Sequence, residues 1–156
     1  MIVTTWLEIA DPAALAAAPA VEGIEIERVA DPALNRDLYA EVGARWSWSD
    51  RLPWTDEQWA AWARRVETWV ARLRGEIAGY YELAVAADGS VEIAIFGLRP
   101  GFEGGGLGGD LLTHAIRRGF ERGGRRVWVH TCALDAPGAV PNYLARGMRV
   151  VRTASS

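Results

Sequence analysis

The sequence predicts an α+β domain in which a mixed, mostly antiparallel central sheet carries helices on both faces. Three observations lead to it. A succession of short β-forming segments is joined by tight turns, Arg74-Gly75-Glu76 and Asp88-Gly89, of the kind that link antiparallel neighbours. Amphipathic helical segments fall among these strands without the strict alternation of a doubly wound fold. The 156 residues, half of them hydrophobic, suffice for one core and are few for a doubly wound dinucleotide domain.

Taken in order, Ile2 to Ile9 reads as a first strand. Asp11 to Val21 is rich in Ala and Pro and reads as a connection, with Asp11-Pro12 as a helix start. From Gly23 to Val29, Ile24 and Ile26 alternate with Glu25 and Glu27, as in a half-exposed strand. Asp31 or Pro32 opens a helix to about Ala44. Arg45 to Trp54 is a loop. Thr55-Asp56-Glu57-Gln58 carries a capping signature, and its helix runs to about Arg65. Glu67 to Leu73 and Ile77 to Ala86 are strands, and Asp88-Gly89 turns the chain into a third at 90–98. A strand over 125–132, a short helix from Pro137 to Arg146 and a last strand from Gly147 to Thr153 complete the chain. No repeat, low-complexity tract or linker interrupts residues 1–156, which read as a single domain.

The stretch 91–124 organises the rest. A run of β-formers, Val91 to Leu98, is ended by Arg99, Pro100 and Gly101. Five glycines then fall within six residues, Gly104 to Gly109, broken only by Leu107. An amphipathic helix follows, with Leu111, Leu112, Ala115, Ile116, Gly119 and Phe120 on one face, and Gly123-Gly124 stop it. Strand, glycine loop and helix make an anion site, because the first N–H groups of a helix have no internal partner and glycines let a phosphate approach the backbone. One or two glycines would mark only a tight turn; this many argue for the site. Gly104, Gly106 and Gly109 match G-x-G-x-x-G, but the next strand lacks a ribose-binding acid at its end, and the chain has no lysine for a Walker loop.

Glu103-Gly-Gly-Gly106-Leu107-Gly108, followed by Leu111, resembles the acyl-CoA loop of the Gcn5-related N-acetyltransferases (GNAT), usually Gln/Arg-x-x-Gly-x-Gly/Ala. The resemblance continues through Ala139 and Tyr143 to Gly147-Met148, and covers roughly residues 66–153 in order, with an element order that also fits 23–65. It implies a GNAT-like sheet with acetyl-CoA between splayed strands 90–98 and 125–132. It also implies contacts to the cofactor from Gly97, Leu98, Glu103, Gly104, Gly105, Gly106, Leu107, Gly108 and Asn142. Glu103 stands where that family usually has Gln or Arg, Gly105 where a basic residue is common, and Ala136 where Asn often sits. The loop keeps its backbone donors and loses side-chain help.

Glu92 shares a face with Ala94, Phe96 and Leu98 on a regular strand, and a carboxylate on an apolar face is expensive unless paired or functional. It matches the position of the family's general base; alternatively it reaches solvent near the strand's start. Glu82 is the rival. With a two-residue turn at Asp88-Gly89, Glu82 and Glu92 point to opposite faces unless a bulge intervenes, and Tyr81 pairs near Phe96 on the face of Glu92. Tyr143 matches the family's general acid, or is a core tyrosine. His130, alternating with Trp128, is a buried, satisfied histidine or a second base, and His114 borders the apolar stripe. Trp59 and Trp62 stand at helical spacing and belong to the core. Trp46, Trp48 and Trp54 lie in a loop, where they line an acceptor site or plug the core.

Composition narrows the classes. A single cysteine, Cys132, excludes a disulfide framework, and no cluster has metal-ligand spacing. No apolar run spans a membrane, and the start MIVTTWLEIAD lacks a signal peptide's basic opening, so a cytoplasmic protein is expected. Eight arginines face 16 acids in residues 1–98, and nine face four in residues 99–156. The basic part holds the glycine loop and suits an anionic cofactor; the acidic part suits a cationic acceptor such as an amine, unless both are ordinary surface charge. No dense basic run suggests nucleic acid. The expectation is an acyl-CoA-dependent N-acyltransferase, with acetyl-CoA as donor and a small, apolar or aromatic amine as acceptor, working as monomer or homodimer. The alternative is the same fold repurposed as a CoA-independent enzyme or a binding module.

Overall fold

A computed structural model describes residues 2–156; Met1 lies outside them. The strands are β1 (Val3–Ile9), β2 (Ile24–Val29), β3 (Glu67–Leu73), β4 (Glu76–Val85), β5 (Val91–Leu98), β6 (Val127–Cys132) and β7 (Arg149–Ser155). The helices are α1 (Pro32–Gly43), α2 (Asp56–Arg65), α3 (Leu107–Glu121) and α4 (Ala139–Ala145), with short 3-10 turns at Pro12–Ala14 and Ala44–Trp46. The expected α+β class holds. Asp31 caps α1 by accepting from the Ala33 N–H at 3.1 Å, ahead of Pro32. The capping box at α2 is complete: the Gln58 N–H donates to the Thr55 hydroxyl at 3.2 Å and the Thr55 N–H to the Gln58 side chain at 2.8 Å. Helix α3 begins inside the glycine run, so Gly108 and Gly109 are helical. Close packing explains them: a Cβ at Gly109 would lie 2.9 Å from the Ala18 side chain and 2.6 Å from Arg146 Nη1.

All seven strands join one sheet in the order β2-β3-β4-β5-β6-β1-β7. Its pairings are antiparallel except β5–β6. Helices α3 and α4 cover one face, where Leu111, Leu112, Ala115 and Ile116 meet Leu7, Leu83, Ile93 and Val127. Burying each large aliphatic side chain there contributes roughly 2 kcal/mol. Helix α1 covers the other face, with Leu38 and Val42 against Val70 and Tyr80. Trp59 of α2 packs edge-on against Tyr39 of α1, with ring centroids 5.7 Å apart.

One local irregularity overturns a strand-parity expectation. The β4–β5 register passes from Glu82↔Ile95 to Leu83↔Ile93, so Ala94 is the extra residue of a bulge. Tyr81 does pair with Phe96, but both lie on the α3 face. Glu92 pairs with Ala84 and therefore lies on the face of Glu82 and Ile95, not with Phe96 and Leu98. A single inserted residue inverts the side of everything beyond it.

Glu67 at the start of β3 is 4 % exposed and collects cations from two directions. It pairs with Arg118, with Arg122 at 3.2 Å and with Arg28 at 3.7 Å, and accepts from the Trp69 indole at 2.6 Å. Burial pushes its carboxyl up, but the bonds from Arg118 and Trp69 and the charge of Arg28 outweigh this and hold it below the usual carboxylate range. Glu67→Ala should therefore cost about 2 kcal/mol in urea unfolding at pH 7. That is less than the roughly 3–5 kcal/mol of breaking a fully buried pair, because the arginines can turn to water. A carboxyl depressed in the folded state stabilises above its unfolded value and loses that effect as pH falls through its folded value. The gap between wild type and Glu67→Ala should accordingly narrow in acid; equal stability at pH 7 would make the cluster energetically idle.

Candidate functional site

Strands β5 and β6 are registered at only two pairs, Val91↔Val127 and Glu92↔Trp128. Beyond them the strands diverge, and two cavities open at the divergence. One, of about 600 Å³, is lined by Gly97, Leu98, Glu103, Gly104, Gly108 and Asn142, among others. The second, of about 490 Å³, is lined by Arg51, Trp62, Glu92 and His130, among others. Trp46, Trp48, Phe96, Asp135 and Tyr143 line both, so the cavities meet at Tyr143.

The first cavity runs to the glycine loop. Gly104 (φ +88°) and Gly106 (φ +82°) adopt left-handed backbone that favours glycine, and Gly106 caps α3 without a side-chain bond. The N–H groups of Leu107, Gly108 and Gly109 form the helix's first turn and have no intrahelical acceptor. Asn142 donates to the Gly108 carbonyl at 3.0 Å and so ties α4 to this turn. Leu107 is buried beneath it. Gly105 and Gly106 face a third cavity, of about 400 Å³, flanking the loop. Arg146 shares that wall, and its Nε is buried without a partner. Glu103 is turned aside. It pairs with Arg45, accepts from the Gly101 N–H at 3.0 Å, and is held below the usual carboxylate range chiefly by Arg45. Its charge at the cavity mouth is thus answered by a cation that the loop after α1 supplies.

In the second cavity His130 Nδ1 stands 3.2 Å from Glu92 Oε2. The β5–β6 register makes this possible, since Glu92 pairs with Trp128, and His130, two residues on, shares their sheet face; the bulge at Ala94 sets that face apart from the one Phe96 takes. The hydrogen bond that His130 donates to Glu92 raises the His130 pKa above its ordinary value, against the opposing effect of burial. The His130 side chain is 51 % exposed, so the expectation of a buried histidine is corrected: β6 presents it to the cavity. Tyr143 is 5 % exposed; burial pushes its hydroxyl pKa up and nearby Asp135 adds to this, so the phenol keeps its proton. Asp135 accepts from the Trp48 indole at 2.9 Å, the Cys132 N–H at 3.0 Å and the Thr131 hydroxyl. Trp48 thereby closes over Gly97, where a Cβ would stand 2.4 Å from Val42 Cγ1 and 3.3 Å from Trp48.

Trp54, expected to line an acceptor site or plug the core, Tyr81, expected beside Glu92, and Glu82, the rival base, line none of these cavities. Tyr81 is fully buried under α3, its hydroxyl 2.7 Å from His114 Nδ1. Trp54 packs edge-on against Trp59 at 4.9 Å and Trp62 at 6.0 Å. Glu82 is fully buried, accepting from Arg51 at 3.0 Å, the Trp62 indole at 2.8 Å and Asn35 at 2.8 Å. Conversely Asp135, Arg51, Arg45 and Arg146 enter the site without sequence expectation. Asp135, in a turn just ahead of Pro137, was visible as a loop acid, but its partner Trp48 is 87 residues away. Among the described residues no group of His, Cys, Asp or Glu could hold a metal ion, and no helix is long and apolar enough to cross a membrane.

A sequence model of the acetyltransferase (GNAT) family matches residues 33–148. No curated protein matches the chain. Among solved structures, a GCN5-related N-acetyltransferase from Sphaerobacter thermophilus superposes with a TM-score of 0.76 at 22 % identity, covering 97 % of this chain and 49 % of that one. A GCN5-related N-acetyltransferase from Kribbella flavida gives 0.71 at 22 % identity, covering 97 % and 55 %. A GNAT family acetyltransferase from Elizabethkingia anophelis with acetyl-CoA bound gives 0.52 at 22 % identity, covering 67 % and 62 %. The chain thus spans about half the length of the first two, and these likenesses are of fold.

Proposed function

The chain belongs to the acetyltransferase (GNAT) family, and from that premise we propose that it moves an acetyl group from acetyl-CoA to the amine of a small acceptor by direct attack. The observation that carries this reading is the meeting of two cavities at Tyr143, with a glycine-loop anion site at the end of one and the Glu92–His130 pair in the wall of the other. The cleft fits acetyl-CoA. Left-handed glycines and free helix N–H groups suit its pyrophosphate, and the unpaired edge of β5 beyond Glu92 suits its amide-bearing arm.

The chemistry needs two proton movements. An ammonium cannot attack a thioester, so the Glu92–His130 pair takes the amine's proton, directly or through water. The amine nitrogen then bonds to the thioester carbonyl carbon and the C–S bond breaks. The departing thiolate takes a proton from Tyr143, whose raised hydroxyl pKa keeps that proton available until the thiolate forms. Trp46 and Trp48 form the apolar wall between donor and acceptor. The alternative, a repurposed fold that no longer uses CoA, drew on Glu103, Gly105 and Ala136; the pairing of Glu103 with Arg45 removes one of its supports.

Gly106→Val should abolish CoA binding in calorimetry, because the left-handed cap cannot be kept. A Cβ at Gly105 would meet no atom within 4 Å, so Gly105→Arg has room at its base and should tighten CoA by on the order of 1 kcal/mol through a charge-assisted contact. Equal CoA affinity in wild type and Gly106→Val would remove the loop from the site. Glu92→Gln and Tyr143→Phe should each lower turnover roughly 100-fold while CoA affinity holds. Since Glu92 holds the His130 pKa up, Glu92→Gln lets it fall, and the acidic limb of the residual activity should move to lower pH. A folded Glu92→Gln variant with wild-type turnover and an unmoved limb would exclude the pair from proton transfer.

A further inference from the structure

The acceptor cavity holds a cation that the reaction does not use. Arg51, in the loop between α1 and α2, donates through Nη1 to the buried Glu82 at 3.0 Å. Its guanidinium carbon lies 4.5 Å from the Trp62 ring centre, 5.1 Å from that of Trp54 and 5.5 Å from that of Tyr39. Three aromatic rings and a carboxylate therefore fix its plane. Its side chain is 13 % exposed and lines the same cavity as Glu92 and His130. Neither Nε nor Nη2 donates to any other described residue, and neither is a closed-off orphan, so that edge of the fork is left to the cavity.

The carboxylates around it are already matched. Glu82 takes Arg51, Trp62 and Asn35; Glu92 takes His130; Asp135 takes Trp48, Thr131 and the Cys132 N–H. Asp50, exposed at the rim, is the wall's one acid with no partner among the described residues. The aromatic cage that would otherwise receive a cationic ligand is filled by Arg51 itself. What the wall still offers is a planar two-donor edge, and a planar guanidinium recognises a carboxylate bidentately where an ammonium would not.

Resting on the reading of this cavity as the acceptor site, we propose that the acceptor is an amine that also carries a carboxylate, bound with the carboxylate on Arg51, the amine at Glu92–His130 and an apolar or aromatic body against Trp46 and Trp48. An aromatic α-amino acid is the simplest member of the class. Arg51 is then a specificity-determining residue, and the buried Glu82 is its positioning partner.

The test separates recognition from turnover. The full chain, saturated with CoA, is titrated by calorimetry with 3-phenylpropionate and with its uncharged isostere 3-phenylpropionamide. Wild type should bind the carboxylate at least tenfold more tightly; Arg51→Gln should erase that preference, and Arg51→Lys should retain only part of it. With acetyl-CoA, phenylalanine should exceed phenethylamine in kcat/KM, mainly through KM. Equal binding of acid and amide by wild type, no binding of the acid at millimolar concentration, or an undiminished preference in folded Arg51→Gln would each overturn the proposal. The wild-type comparison does not depend on whether a variant folds. CoA binding, measured separately, tells failure of this proposal from failure of the acetyltransferase reading.

Discussion

The structure depends on a parallel pairing that stops after two residue pairs. β6 does not follow β5 because each strand is satisfied elsewhere. β6 is registered along its whole length against β1, from Thr4↔Cys132 to Ile9↔Val127, and β5 is held against β4 as far as Gly79↔Leu98. The divergence therefore sacrifices only the backbone groups that face the gap, and those become the lining of a cleft rather than an unsatisfied interior. Bulge, aromatic loop, glycine loop and Tyr143 are all arranged around that opening.

The loop between α1 and α2 closes the opening through three tethers to three different elements. Arg45 reaches Glu103 at the glycine loop, Trp48 reaches Asp135 after β6, and Arg51 reaches Glu82 on β4. Their energetic weights differ. The Arg45–Glu103 pair is exposed on both sides and so adds little stability, although it cancels a charge at the cleft mouth. The Arg51–Glu82 pair is buried, and removing either partner would strand the other. The loop is thus most firmly fixed beside the acceptor cavity and most loosely beside the donor cleft.

Most elements were legible because their signals are local. Asp31-Pro32, Thr55 with Gln58, Asp88-Gly89 and the glycine run each act within four or five residues, and the corresponding caps and turns form where expected. The positions of Glu92 and Tyr143 beside the cavities were legible through the resemblance, and Trp46 and Trp48 through the oddity of large aromatics in a loop. What was hidden is non-local. No residue near Ala94 announces a bulge, yet that bulge decides which face Glu92 takes. No pattern around Trp54 or Trp48 distinguishes the tryptophan that packs on α2 from the one that bonds to Asp135. The division of charge between acidic and basic stretches gave no sign that Arg45 and Glu103 would neutralise each other across it. Pairings of this kind are set by tertiary register, which a one-dimensional period cannot carry.

The place of β1 has a temporal consequence. Residues 3–9 pair only with β6 and β7, and Ile2 and Ser156 exchange backbone hydrogen bonds at 3.1 and 3.0 Å. A nascent chain emerging from the ribosome would carry this segment unpartnered, with Leu7 and Ile9 still bare, until residues 127–155 had followed it. The remaining strands can assemble first, by neighbour-to-neighbour hairpins from β2 to β5. Insertion of β1 between β6 and β7 would then be the late, long-range step that seals the sheet.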